Sequence, residues 1–178
     1  MKKLLLSTLT LALLTFAQTA QAQATAEAPA ALSDGEGAKV LVTLNEGEID
    51  VNQLGKRKAM NKQVKDYAKM MVDQHKENEK ETKKVVKKQD LKFKETAMSE
   101  ALEAQVKDIE KTLKKTTKDD FDRAYMDQQV IMHEKDLGTV NTLLQTAQNA
   151  AYKAHLEKTR DAITVHLAHA QEIQAIIK

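Results

Sequence analysis

Followed in alternating steps of three and four, the apolar positions of this chain fall into stripes of the kind that line one face of a helix. One stripe runs Leu41, Leu44, Glu48, Val51, Gly55, and a second Val64, Ala68, Met71, His75, Asn78, Thr82, Val85. A third runs Met126, Val130, His133, Leu137, Val140, Leu144, Ala147, and a fourth Tyr152, Leu156, Thr159, Ile163, His166, Ala170, Ile173, Ile177. Leu102, Val106, Ile109 and Leu113 make a shorter one. Capping residues set the ends: Ser33 with Glu36 three positions on forms a capping-box pattern, and Asn61 and Asn149 are good N-caps. The pattern predicts helices from Ser33 to about Lys58, after Asn61 to Lys88, over Ser99 to Lys115, from Thr117 to Gln148, and from Asn149 to the carboxyl end. Asp119, Asp120 and Asp122 would occupy the first turn of the fourth, where they complement the helix dipole. Leu91 and Phe93, in the connector Gln89 to Glu95, are expected to fold back on the core.

Ala, Lys, Glu, Gln and Leu dominate and β-branched runs are absent, so the whole domain reads as all-α. Short connections favour antiparallel neighbours. The expected fold is therefore an antiparallel up-and-down helical bundle of four long helices plus one shorter helix, spanning residues 33–178 as a single domain.

The amino-terminal segment is different. Lys2 and Lys3 precede an apolar run from Leu4 to Ala17 and then small and polar residues up to Ala24. A basic start, an apolar middle too short to span a bilayer and an Ala-x-Ala site describe a secretory signal peptide. The expected cut follows Ala22, with an alternative after Ala24, and residues 25–32 read as a linker around Pro29, the only proline. The chain is then exported, to the periplasm or into association with an outer membrane, with no transmembrane anchor in its mature part.

Cleavage changes the charge. The 178 residues carry 28 Lys and Arg against 26 Asp and Glu, and removal of Lys2 and Lys3 leaves 26 of each. A neutral mature chain has no bulk field for nucleic acid, so nucleic-acid binding is not expected. The basic middle, with Lys83-Lys84 and Lys87-Lys88, reads as a solvated helix face. With no Cys there is no thiolate chemistry or disulfide, and Ser33 and Ser99, the only serines of the mature chain, stand at helix starts, which disfavours a serine hydrolase. No Gly-rich phosphate loop is present.

What remains distinctive is that each long stripe carries one ionisable residue near its middle: Glu48, His75, His133 and His166. Mid-helix positions of an antiparallel bundle share one layer, so these four converge. A buried imidazole or carboxylate without partners is costly, so the layer must be hydrogen-bonded or filled by a cation. Neutral imidazoles with a carboxylate suit one transition-metal ion, zinc, copper or iron. Around them, Asp73 is a candidate acceptor for a His N–H, and Asn78 a hydrogen-bonding partner one turn beyond His75. Tyr125 packs with Phe121 and its hydroxyl needs a partner, and His169 is placed one turn from His166. His155 reads as a surface residue. The bland alternative is a polar layer that fixes helix register and binds nothing. Val72, Val130 and Ile163 stand three residues before the histidines, so the Glu-x-x-His motif of di-iron carboxylate proteins is absent. Met70, Met71, Met126 and Met132 keep a Cu(I) or haem alternative open.

The blocks Tyr67-Ala-Lys-Met-Met-Val-Asp-Gln-His75-Lys-Glu-Asn78, Phe121-Asp-Arg-Ala-Tyr-Met126 with His133-Glu-Lys, and His166-Leu-Ala-His-Ala170 resemble the exported bacterial proteins grouped as domain-of-unknown-function family 4142. The resemblance covers nearly all of the mature chain. It implies a ferritin-like helical bundle in the periplasm or at the outer membrane, with no established activity. By the resemblance, Asp73, His75, Asn78, Phe121, Asp122, Tyr125, His133 and His166 match the family's motif positions. The chain departs from the pattern in lacking a proline after the second helix and in carrying Arg160-Asp-Ala-Ile-Thr-Val where a Leu-Pro-containing approach to the final His is usual.

The resulting expectation is a periplasmic bundle, not demonstrably an enzyme, whose Glu48, His75, His133 and His166 layer holds a transition metal. Its rival is a metal-free cell-envelope or stress-related interaction protein whose buried histidines are structural. Partners and oligomeric state are unknown.

Overall fold

The computed structural model describes residues 31–177. The expected signal peptide, and all of the linker except Ala31 and Leu32, lie outside the described residues. Five helices follow one another: α1 (Asp34–Lys58), α2 (Lys62–Lys88), α3 (Ala97–Lys115), α4 (Phe121–Thr146) and α5 (Ala150–Ile176). No strand occurs among the described residues.

The caps explain most boundaries. Ser33 and Glu36 close the expected capping box on α1, and Asn61 and Asn149 each accept two backbone N–H bonds at the starts of α2 and α5. Two boundaries differ from expectation. Helix α3 starts two residues before Ser99, because Thr96 is the cap and Ser99 supplies the returning bond of a Thr96–Ser99 box. Helix α4 starts at Phe121, since Thr117 and Asp120 bond to each other in the turn before it. Only Asp122 thus lies in its first turn, and this carboxylate accepts from the Met60 and Asn61 backbone at 3.0 and 2.7 Å, tying the α1–α2 corner to α4. Leu91 packs on the core as expected, whereas Phe93 stays 43% exposed.

The chain reverses direction at every connection. Asn52 meets Tyr125 and Glu48 meets Gln129 between α1 and α4. Gln74, Asn78 and Thr82 of α2 meet His166, Thr159 and His155 of α5. Both pairs therefore run antiparallel, and α1, α2, α5 and α4 form a ring, with α3 laid on α1 and α4. Helix α1 is covered from several sides and is buried at nearly every position from Gly35 to Gly55. Two glycines make that closeness possible. A Cβ at Gly47 would lie 2.5 Å from a Val106 methyl of α3, and one at Gly55 2.5 Å from the Tyr125 ring of α4.

The core is divided. One apolar cluster gathers Val51, Leu54, Tyr67, Met71, Leu113, Phe121, Met126 and their neighbours. Another gathers Leu41, Leu44, Val86, Val140, Leu143, Tyr152, Leu156 and Ile163. Between them lies a layer of buried polar side chains that includes Asn45, Glu48, His75, His133, Asp136 and His166.

Candidate metal centre

Three of the four expected ligands converge. His75, His133 and His166 are 2%, 0% and 4% exposed, their ring centroids are 5.3 to 5.7 Å apart, and ring nitrogens, one from each, lie within 4.8 Å of one another. Each sits on its helix's inward stripe at the level where the two apolar clusters separate. An ion ~2.0–2.1 Å from three nitrogens in a tetrahedral array sets them about 3.4 Å apart.

The hydrogen bonds at the outer edge of each ring fix its tautomer. His75 Nδ1 faces Asn45 Oδ1 at 3.0 Å, and the orientation of that amide is set elsewhere. Its nitrogen donates to the Leu41 carbonyl and to Asn78 Oδ1, while the Asn78 nitrogen donates to the Thr159 hydroxyl and Thr159 to the His155 carbonyl. Asn45 therefore offers an acceptor, and His75 Nδ1 carries the proton. His133 Nδ1 donates to the Gln129 carbonyl at 2.9 Å, and His166 Nε2 donates to Gln74 Oε1. The remaining nitrogens, His75 Nε2, His133 Nε2 and His166 Nδ1, are buried and bond to nothing. They present three lone pairs in one place with no donor among them, the arrangement in which an imidazole serves as a metal ligand.

Electrostatics hold two of the rings, His75 and His166, neutral. Burial first, then the neighbouring His133 and His166, pushes His75 well below the ordinary imidazole value. Burial, with His133 and His169, pulls His166 down to about 4. Ligation requires the neutral ring, so neither His75 nor His166 has to lose a proton at neutral pH before an ion binds.

Glu48 does not join the three nitrogens. Its Oε1 is 3.6 Å from His133 Nδ1, the nitrogen that bonds to the Gln129 carbonyl. A carboxylate behind a ligating imidazole orients the ring and raises its basicity. Asn52 and Gln129 donate to Glu48 Oε2 at 2.8 and 3.4 Å. Asp136 is buried beside it, and desolvation together with the Glu48 charge and a hydrogen bond to Glu48 holds the Asp136 carboxyl well above the usual carboxylate range.

The other expected residues divide. Asn78 is the hydrogen-bonding partner foreseen, linking Asn45 to Thr159. Tyr125 stacks on Phe121, with ring centroids 5.9 Å apart, and donates to Asn52 Oδ1. Asp73 is exposed and accepts from no His, since it sits on the solvent side of α2, and Gln74 and Asn45 take that role. His169 packs edge-on against Tyr67 at 5.4 Å instead of supplementing the cluster. His155 is not a surface residue: it is half-buried and its Nε2 donates to the Thr82 hydroxyl at 2.8 Å. Met71, Met126 and Met132 are core packing residues, with Met70 against them.

Asn45, Asn52, Tyr67, Gln129 and Asp136 were not expected. Asn45 and Asn52 lie off the single stripe read for the first helix, and they are buried because Asn45 faces His75 and Asn78 of α2 and Asn52 faces Tyr125 of α4. A buried reading of Asp136 would have required knowing that α4 turns this face toward Glu48.

The family model described as Domain of unknown function (DUF4142) matches residues 18–173. No curated protein and no solved structure matches the chain.

Proposed function

The chain belongs to the domain-of-unknown-function family DUF4142, and because that family carries no assigned activity, we propose a function from the site itself: the protein binds one transition-metal ion through His75, His133 and His166. One observation carries this reading. The three rings bring one nitrogen each within 4.8 Å of the others, and each ring keeps one buried nitrogen with no hydrogen-bond partner, while its opposite nitrogen is bonded to an acceptor that fixes the proton there. A purely structural histidine layer would pair those nitrogens with donors, since each buried orphan costs about 1–3 kcal/mol. A cation removes the penalty for all three at once.

Three neutral imidazoles select zinc, copper or iron over calcium or magnesium, which take oxygen donors. Glu48 behind His133 supplies negative charge without coordinating. The four-helix ring with a site at mid-height supports a ferritin-like classification, and the basic start, short apolar run and Ala-x-Ala sites of residues 1–24 support an exported, periplasmic protein. The reading is one of binding, and it assigns no turnover.

Elemental analysis of protein purified without a metal-affinity step tests it. About one equivalent of metal is expected, lost in His75→Ala and His133→Ala proteins that keep their helical circular dichroism. Metal far below one equivalent, together with no change in melting temperature on titrating zinc or copper into the purified protein, would leave the histidines as structural groups of a metal-free envelope protein.

A further inference from the structure

Of the aromatic rings among the described residues, Tyr67, Phe121, Tyr125 and Tyr152 are at most 1% exposed, whereas Phe93 is 43% exposed. Local structure holds it out. Helix α2 ends in a Schellman turn: the Leu91 N–H donates to the Val86 carbonyl and the Asp90 N–H to that of Lys87, with Asp90 in the left-handed region at φ 51°. That turn sends Leu91 onto the core and carries the chain across the start of α1. A Cβ at Gly35 would collide with the Lys92 carbonyl, and Lys94 and Glu95 pair with Glu36 and Lys39 at 2.7 and 3.1 Å. The backbone on both sides of Phe93 is thus tied to α1, and the ring stays outside.

The charge around this ring is one-sided. Lys83, Lys84, Lys87 and Lys88 wall a shallow depression on the last two turns of α2, and Lys92 and Lys94 flank Phe93 in sequence. From Lys87 to Lys94 the chain carries four lysines and one acid, Asp90. Lys87 and Lys88 pair with no acid among the described residues, and the Lys92–Asp90 pair lies in open solvent, where such a pair contributes little. The helix dipole alone accounts for lysines at the end of α2. It does not account for an exposed and anchored Phe beside them. We infer that the α2–α3 corner is a membrane-contact surface, on which Phe93 enters the interface of an anionic phospholipid bilayer while Lys87, Lys88 and Lys92 meet its phosphates. An apolar ring surrounded by long cationic side chains matches a bilayer, whose hydrocarbon lies directly beneath a negatively charged surface. Because the connector is already fixed, little ordering cost falls on the contact. One ring with a few lysines gives peripheral, reversible binding, not insertion. Lys87 stands about 18 Å along α2 from His75 at helical rise, so this surface neither needs nor touches the metal site.

Co-sedimentation of the purified protein with sucrose-loaded vesicles tests the surface. Vesicles of equal parts phosphatidylglycerol and phosphatidylcholine should bind the wild-type protein, and vesicles of phosphatidylcholine alone should bind it roughly tenfold more weakly. Lys87→Glu combined with Lys88→Glu should weaken binding to the anionic vesicles by roughly tenfold or more, and salt at about 0.5 M should remove most of it. Phe93→Ser should weaken it several-fold at low and high salt alike, because the ring's contribution is not electrostatic. All three positions are exposed, so both variants should keep the circular dichroism and melting temperature of the wild type. Absence of binding to the anionic vesicles overturns the inference. Equal binding by the wild type and both variants places the contact elsewhere on the chain, the amino-terminal segment included, and also overturns it. Binding that depends on the lysines and not on Phe93, and that heparin competes away, marks a general polyanion site and overturns it as well.

Discussion

Asn45 Oδ1 lies 3.0 Å from His75 Nδ1, and through that single contact an amide on α1 decides which nitrogen of a ring on α2 holds a lone pair. The amide cannot turn over, because its nitrogen is engaged by the Leu41 carbonyl and Asn78 Oδ1. Asn45→Leu should therefore lower metal affinity by about 10- to 100-fold, the usual cost of losing an orienting partner. Isothermal titration or competition against a chelator measures this. Asn45→Asp keeps the acceptor for His75 but sets its second oxygen against the Leu41 carbonyl and Asn78 Oδ1, so it should recover only part of the affinity; equal losses in the two variants would mean that Asn45 only packs.

The fold was legible because its signals were local. Ser33 with Glu36, Asn61 and Asn149 announce helix starts by side-chain chemistry that needs no tertiary contact, and the three- and four-residue spacing of Val64 to Val85 or Tyr152 to Ile177 fixes one inward face. The three histidines followed from the same spacing. Glu48 was read as their equal because sequence places it at the right height, but height does not say from which side a helix approaches. Its carboxylate reaches the outer edge of His133. Asn45 and Asn52 escaped for a related reason: their burial depends on α2 and α4 closing on α1 beside its apolar stripe, where Asn45 meets His75 and Asn52 meets Tyr125.

The pH dependence has a definite sign. His166 titrates near 4 in the folded protein and His75 is also depressed, against an ordinary imidazole value of 6.5. Between those values the unfolded chain binds more protons, so the stability these groups contribute is complete above pH 6.5 and falls as pH drops through the folded value. Thermal unfolding of chelator-treated protein should show the melting temperature dropping from pH 7 to 4, and His166→Gln should flatten that part of the profile. Bound zinc should steepen it, since acid also releases the ion. A profile unchanged by His166→Gln would contradict the assignment.

Asp136 works in the opposite direction. Burial and Glu48 raise its carboxyl well above the usual range, so the folded protein keeps a proton that the unfolded chain releases. Stability from this group is fully present below the unfolded value near 3.8 and is lost as pH rises toward the folded one. Asp136→Asn preserves shape and removes that cost, so it should stabilise the metal-free protein at pH 7 and lose the advantage near pH 3.5. Denaturant midpoints at the two pH values decide it. A destabilisation at pH 7 would show that Asp136 is ionised and needed as an acceptor.

Two glycines in long helices offer opposite outcomes from the same substitution. At Gly55, inside α1, a Cβ would meet the Tyr125 ring at 2.5 Å, and that ring is locked between Phe121 and the Asn52 amide. It cannot retreat without breaking the bond that orients Asn52 toward Glu48. Gly55→Ala should therefore destabilise by ~1–3 kcal/mol, the range for overpacking a filled core. Gly138, inside α4, has nothing within 4 Å of the same position. There the added methyl only restricts the unfolded chain and improves helix propensity, so Gly138→Ala should stabilise by ~0.5–1 kcal/mol. Urea unfolding of the two variants side by side separates close packing from propensity. A neutral Gly55→Ala would mean that α1 and α4 can shift apart, and with them the Glu48 carboxylate behind His133.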